Sequence, residues 1–213
     1  MSEPVKRSYR SPRRTETAQQ TRRLIRDAAA ELFVRQGITA TTMRQVAQAA
    51  GVAERTVYTA FPTKTVLFNE VIDIATVGDE LPVPVAQRPE FRAAHTETDA
   101  AQAVRHLVEH GTALLERAGD LIIAAIESSG ADPDMREFCD RGAEATAANL
   151  RTVAETWARN HFLRAGLDVD GAVAMLYSLC SPHLHHLLRR DQNWNAERYR
   201  DWLIDTITST VMA

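Results

Sequence analysis

Two short helix-period segments, one closed by a glycine and one by a proline, constrain this chain more than any other feature. In TTMRQVAQAAG, Thr42 and Gln45 have the spacing of a capping box, and Met43, Val46, Ala47 and Ala50 share one helical face. Gly51 supplies the left-handed residue that ends so short a helix. Glu54 to Phe61 forms the next one, stopped by Pro62. Ahead of both, the rows Leu24, Ala28, Leu32 and Ile25, Ala29, Phe33 give a longer helix one apolar face, and Gly37 terminates it. A long helix followed by two short ones across a tight glycine turn is a helix-turn-helix arrangement.

Charge separates this head from the rest of the chain. Residues 1–68 hold twelve Lys/Arg against five Asp/Glu, a net +7, while residues 69–213 hold thirteen against twenty-three, a net −10. A basic head on an acidic body suits a head that meets a polyanion. Residues 1–16, with Lys6, Arg7, Arg10, Arg13 and Arg14, have no apolar period and read as a disordered basic arm. The head proper is expected over 17–68 and a helical body over 69–213.

A fourth helix is expected from Lys64 through Val66, Leu67, Val71 and Ile74, and a loop over Pro82, Pro84 and Pro89. Beyond it, helices are expected near 98–117, 120–129, 133–162, 169–190 and 196–211, with a kink at Pro182. The fold class is all-α, with about nine helices and no alternating strand pattern.

The basic opening has no apolar stretch after it, so no signal peptide is expected, and the run Leu121 to Ile126 is too short for a membrane. With two widely spaced cysteines, Cys139 and Cys180, a cytoplasmic protein without disulfides is expected. No nucleophile elbow, Walker loop, dinucleotide fingerprint or H-E-x-x-H occurs, so an enzyme is not expected. His106 and His110 are an i, i+4 pair, and His183, His185 and His186 cluster behind Pro182. Neither group completes a three- or four-ligand set, so no metal and no cofactor are expected.

At 100° per residue, Val57 and Phe61 of the third helix share an inward face. Arg55 and Thr59 then point outward, flanked by Thr56 and Tyr58, a surface of hydrogen-bond donors suited to a major groove. Arg44 can fork onto a guanine, and Lys64 is placed to meet a phosphate.

The stretch from Thr21 to Ile72, including the GV…TVY…F-P-x-K string from Gly51 to Lys64, resembles the N-terminal domain of TetR-type repressors. The run from Gly166 to Leu203 looks like the C-terminal region of an actinobacterial-style branch. The resemblance implies an omega-shaped homodimer that binds a pseudo-palindromic operator in double-stranded DNA and is released by a small inducer held in the C-terminal domain. It carries DNA contacts onto Thr42, Arg44, Thr56, Tyr58, Thr59 and Lys64. Two departures stand out. Ala53 replaces a serine that usually caps the third helix, and Glu54 and Ala60 replace residues that are often basic, polar or aromatic.

By the same resemblance the last two helices pair with a second copy, through Val173, Leu176, Tyr177, Cys180, Leu184, Leu187 and Leu188 and through Tyr199, Trp202, Leu203, Ile207 and Val211. An inducer cavity is expected among the helices between 98 and 180, lined by Phe138, Trp157, Phe162 and Tyr177. With Met135, Cys139 and Met175 nearby, an apolar or amphipathic molecule suits it.

Overall fold

Caps and turns, taken one at a time, account for most of the element boundaries. The structure, a computed structural model, describes residues 12–78 and 96–213. α1 (Pro12–Gln36) starts earlier than Thr17, because proline is at ease in a first helical turn, and Gly37 follows it at φ 83°. Residues 1–11 of the expected arm and the expected loop over Pro82, Pro84 and Pro89 lie outside the described residues.

α2 (Met43–Ala49) opens on the capping box that the sequence indicates, with Thr42 and Gln45 bonded reciprocally. Gly51, at φ 66°, lets the chain turn into α3 (Glu54–Ala60), and the Val52 amide closes the turn on the Ala47 carbonyl. α4 (Lys64–Val77) is capped by Thr63 and ends at left-handed Gly78.

Two expected helices, near 98–117 and 120–129, are one continuous α5 (Ala100–Ser128). Gly119 does not break it. A Cβ there would stand 3.3 Å from His185 Nδ1, so the glycine serves close packing instead of a turn. α6 (Pro133–Arg159) is capped by Asp132. The expected helix over 169–190 is divided, not merely kinked. α7 (Val169–Leu179) stops before extended Ser181, which caps the short α8 (Pro182–His186), and a π-helical turn follows over Leu187–Asp191. Proline at the first position of a helix loses no bond it could have made, so a restart is easier there than a kink. α9 (Ala196–Val211), capped by Asn195, closes the chain. Among the described residues the one β-type pairing is an isolated bridge between Leu163 and Met212. No described helix is long and apolar enough to cross a membrane.

Burial divides the apolar residues into two clusters. The first joins Ile25 and Phe33 of α1, Val46 of α2, Val57, Phe61, and Leu67 and Phe68 of α4 with Ala118, Ala124 and Ala125 of α5. The second gathers Val104 of α5, Trp157 of α6, Leu176 of α7, and Tyr199, Leu203 and Ile207 of α9. The head therefore completes its core with one stretch of α5, while an earlier stretch of the same helix serves the far cluster.

Glu116 lies between those stretches of α5. Its carboxylate accepts from Arg189 Nη2 at 2.9 Å and stands 3.0 Å from Nε2 of the fully buried His185. The hydrogen bond from Arg189, then that with His185, holds the Glu116 pKa down at about 2. One turn on, Asp120 pairs with Arg190 at 2.9 Å. These bonds tie the π turn to α5.

Candidate nucleic-acid interface

α2 and α3 present different faces inward and outward. Met43, Val46 and Ala47 of α2 are buried, as are Val57 and Phe61 around α3, the last two completely. The opposite sides carry Arg44, Arg55, Tyr58 and Thr59, all exposed, with Thr56 at the margin. Arg44 and Arg55 have no ion pair or hydrogen bond from their side chains among the described residues, so both guanidiniums keep their donors for a partner. The Thr59 hydroxyl donates back to the Arg55 carbonyl at 2.8 Å and still has lone pairs to accept with. Tyr58 is 48% exposed, a large aromatic side chain held out in solvent. Thr42 is exposed as well, at the N-terminus of α2, where its hydroxyl holds the cap.

The end of α3 is held by α1 and α4 together. Arg22 of α1 donates through Nη1 to the Ala60 carbonyl at 2.7 Å, and its guanidinium lies 4.0 Å from the Phe61 ring centre. The remaining edge of Arg22 forks onto Glu70 of α4, which Arg26 also reaches at 3.1 Å. The hydrogen bond from Arg22 lowers the Glu70 pKa. Periodicity could not have found this clamp, because Arg22, Arg26 and Glu70 meet only once α4 folds back on α1.

Lys64, the first residue of α4, is half-buried and turned toward the α1–α2 turn. Its Nζ lies 2.7 Å from the Ile38 carbonyl, 3.1 Å from that of Thr41 and 3.3 Å from that of Thr39. Burial lowers its pKa, with Asp132 pulling the other way. An ammonium has three hydrogens, and in this structure three carbonyl oxygens lie within reach of them.

The four expected cavity residues are not brought together. Phe138 packs edge-on against Phe68, at 5.1 Å between ring centres, beside the first cluster. Trp157 is completely buried in the second cluster, with Phe162 packed against it. Tyr177 is 38% exposed on α7. Of two surface recesses, one of about 320 Å³ is lined by Asn69, Asp73, Phe138, Arg141 and Gly142, and it includes Phe138 alone of the four. The other, of about 360 Å³ around Leu163, Leu167 and Val169, includes none. Neither recess is lined by all four. Periodicity marks such residues as inward-facing without saying which of two interiors they face.

Three of the histidines lie near carboxylates. His185 faces Glu116, His186 Nδ1 lies 3.6 Å from Asp120, and His106 Nδ1 lies 3.8 Å from Glu97. Of the residues expected on a dimer face, Leu176, Tyr199, Leu203, Ile207 and Val211 are instead buried within this chain, while Tyr177 and Leu187 remain exposed.

Comparison with known proteins agrees with this geometry. Residues 25–71 match the family model described as bacterial regulatory proteins, tetR family. Over 58 residues the chain is 40% identical to the HTH-type transcriptional regulator AcrR of Shigella flexneri, a match covering 27% of each protein, so it spans about a quarter of that relative's length. Its fold is similar to that of NalD, the secondary repressor of the MexAB-OprM multidrug efflux pump in Pseudomonas aeruginosa (TM-score 0.69, 22% identity, 92% of this chain and 98% of that one). It is also similar to a putative transcriptional regulator from Saccharomonospora viridis in complex with choline (TM-score 0.69, 19% identity, 92% and 99% covered). At such identities these two likenesses concern the fold. The named relatives are regulators of transcription, not enzymes.

Proposed function

We infer that this DNA-binding transcriptional regulator of the tetR type works as a homodimeric cytoplasmic repressor, released from its operator by a small ligand in the helical body. One observation carries the DNA reading. The buried side of α2 and α3 is wholly apolar, while the exposed side offers two unengaged guanidiniums with Tyr58, Thr59, Thr56 and Thr42 around them. A surface of that kind gains little from water that it would not gain more selectively from base edges and phosphates. Arg44 and Arg55 supply the charge, and the hydroxyls supply orientation. Two copies joined through the segment from α7 to the π turn, where Tyr177 and Leu187 stay exposed, and through α9 would place two such heads on the half-sites of a pseudo-palindrome.

Release by a ligand is supported by continuity of packing. Phe68 of α4 stacks edge-on against Phe33 of the head at 5.8 Å and against Phe138 of α6 at 5.1 Å, so movement in the body reaches the head through packed rings. The Saccharomonospora viridis neighbour was solved with choline, which fits the proposal of a small amphipathic ligand here. A ligand releases DNA only if it favours the released conformation, and the coupling is then reciprocal. The test uses a duplex selected by the protein from a random pool and a panel of small amphipathic compounds. A compound that lowers duplex affinity by some factor must lose affinity by the same factor when the duplex is present. A panel that binds the body without changing duplex affinity would argue for a regulator that does not respond to such ligands.

A further inference from the structure

We propose that Lys64 is a positioning residue whose ammonium clasps the α1–α2 turn to the first turn of α4, and so sets where Thr42 and Arg44 meet DNA. The inference rests on the reading of α2 and α3 as the DNA face, and it gives that face a support from a residue whose charge alone suggests phosphate binding.

A lysine ammonium has three N–H bonds to place. Lys64 Nζ has three carbonyl oxygens within hydrogen-bond distance, those of Ile38 at 2.7 Å, Thr41 at 3.1 Å and Thr39 at 3.3 Å. All belong to the turn between α1 and α2, where the Ile38 carbonyl also accepts from the Thr41 amide at 3.2 Å. The turn is further knotted by Thr41, 1% exposed, whose hydroxyl lies 2.8 Å from the Gly37 carbonyl. Thr42, the next residue, starts α2, and Arg44 lies in the first turn of that helix. A shift of the turn therefore moves both DNA-facing groups.

The other side of the clasp is tied to the body. Thr65, beside Lys64, donates to Asp134 of α6 at 2.7 Å, and Asp132, the cap of α6, acts electrostatically on the ammonium. At the far end of α4, Arg117 of α5 donates to the Ala75 and Thr76 carbonyls, each at 3.1 Å. Lys64 thus joins the turn that carries α2 to a helix gripped at both ends by the body. A point charge on a flexible stem can converge three donors on neighbouring carbonyls. A planar guanidinium cannot arrange its donors that way, although it binds phosphate well.

This difference provides the test. Lys64→Arg and Lys64→Met are compared with wild type in two measurements on the full chain. Without DNA, amide hydrogen exchange is followed over residues 38–42. On a duplex selected by the wild-type protein from a random pool, affinity is measured against salt. A positioning role requires exchange in the turn to speed up by about tenfold or more in both variants. Both should bind the duplex more weakly with relaxed base preference, while the salt slope stays that of wild type. The proposal is overturned if Lys64→Arg behaves as wild type while Lys64→Met keeps slow exchange and loses about 0.9 of log–log salt slope, the signature of one lost phosphate contact. If the wild-type protein enriches no duplex at all, the DNA reading fails, and exchange in the free protein still decides whether the clasp exists.

Discussion

Replacing Ala53 by serine should stabilise the protein, and the size of the gain follows from the start of α3. Thr42, Thr63, Asp99, Asp132, Asp168, Ser181 and Asn195 each cap an α-helix with a side-chain hydrogen bond. Ala53 makes none, although its backbone (φ −68°, ψ 142°) already has the extended shape of an N-cap. Its neighbours leave room, since residue 53 is exposed. The Thr56 amide reaches the Ala53 carbonyl at 2.8 Å, a tight first turn that stands in for a cap. A serine hydroxyl would accept from the Arg55 or Thr56 amide at no cost in backbone strain.

Such a cap is worth about 0.5–2 kcal/mol, and an exposed site with a partial substitute belongs in the lower half of that range. About 1 kcal/mol raises the melting temperature of a chain this long by roughly 2–4 °C. Circular dichroism melts give the global value. Amide exchange over 54–60 gives the local one, expected to slow about fivefold. An unchanged or lower melting temperature, with exchange in α3 no slower, would refute the idea that α3 lacks only its cap.

Arg44→Ala should cost about 1–3 kcal/mol of DNA binding and relax one position of the selected duplex. Equal loss on every sequence would make Arg44 a phosphate contact. Trp157→Ala should cost roughly 3–5 kcal/mol of stability, because the indole is completely buried. Trp157→Phe should cost much less, since it also removes a buried indole N–H that has no partner among the described residues, and comparable melts of the two variants would contradict this. Stability should fall in two stages on acidification. Burial holds the His185 pKa below its ordinary value, so its contribution is present above about pH 6.5 and shrinks as the unfolded chain takes up that proton first. The Glu116 contribution is full above its ordinary value of 4.5 and is lost as pH falls toward 2. In His185→Gln the upper stage should vanish, and a wild-type melting temperature flat from about pH 7 to 5 would contradict the assignment.

Local chemistry made the head legible in the sequence. Gly51 and Pro62 punctuate α2 and α3, Thr42 and Gln45 announce a helix start, and Val57 with Phe61 fix which side of α3 turns inward. Each of those signals acts within a few residues. The body was legible in helix content but not in its divisions. Gly119 falls where the helices expected near 98–117 and 120–129 divide, and it is the thin point where α5 admits His185, a partner 66 positions away in the chain. Pro182 reads as a kink, and Ser181 turns it into a helix start. The partners of Lys64 and Arg22 were hidden for the same reason. Charge and helical position predict exposure, whereas their partners are backbone carbonyls and a glutamate brought in by tertiary folding.

Whether the outward face of α2 and α3 reads DNA in two symmetric copies is decided by sequencing the duplexes that the purified protein retains from a random pool. Symmetric reading requires an enriched inverted repeat with half-sites about one helical turn, or a multiple of it, apart. It also requires affinity that falls steeply with salt. Retention of no sequence above the starting pool, or of a single unrepeated site with salt-independent affinity, would contradict it.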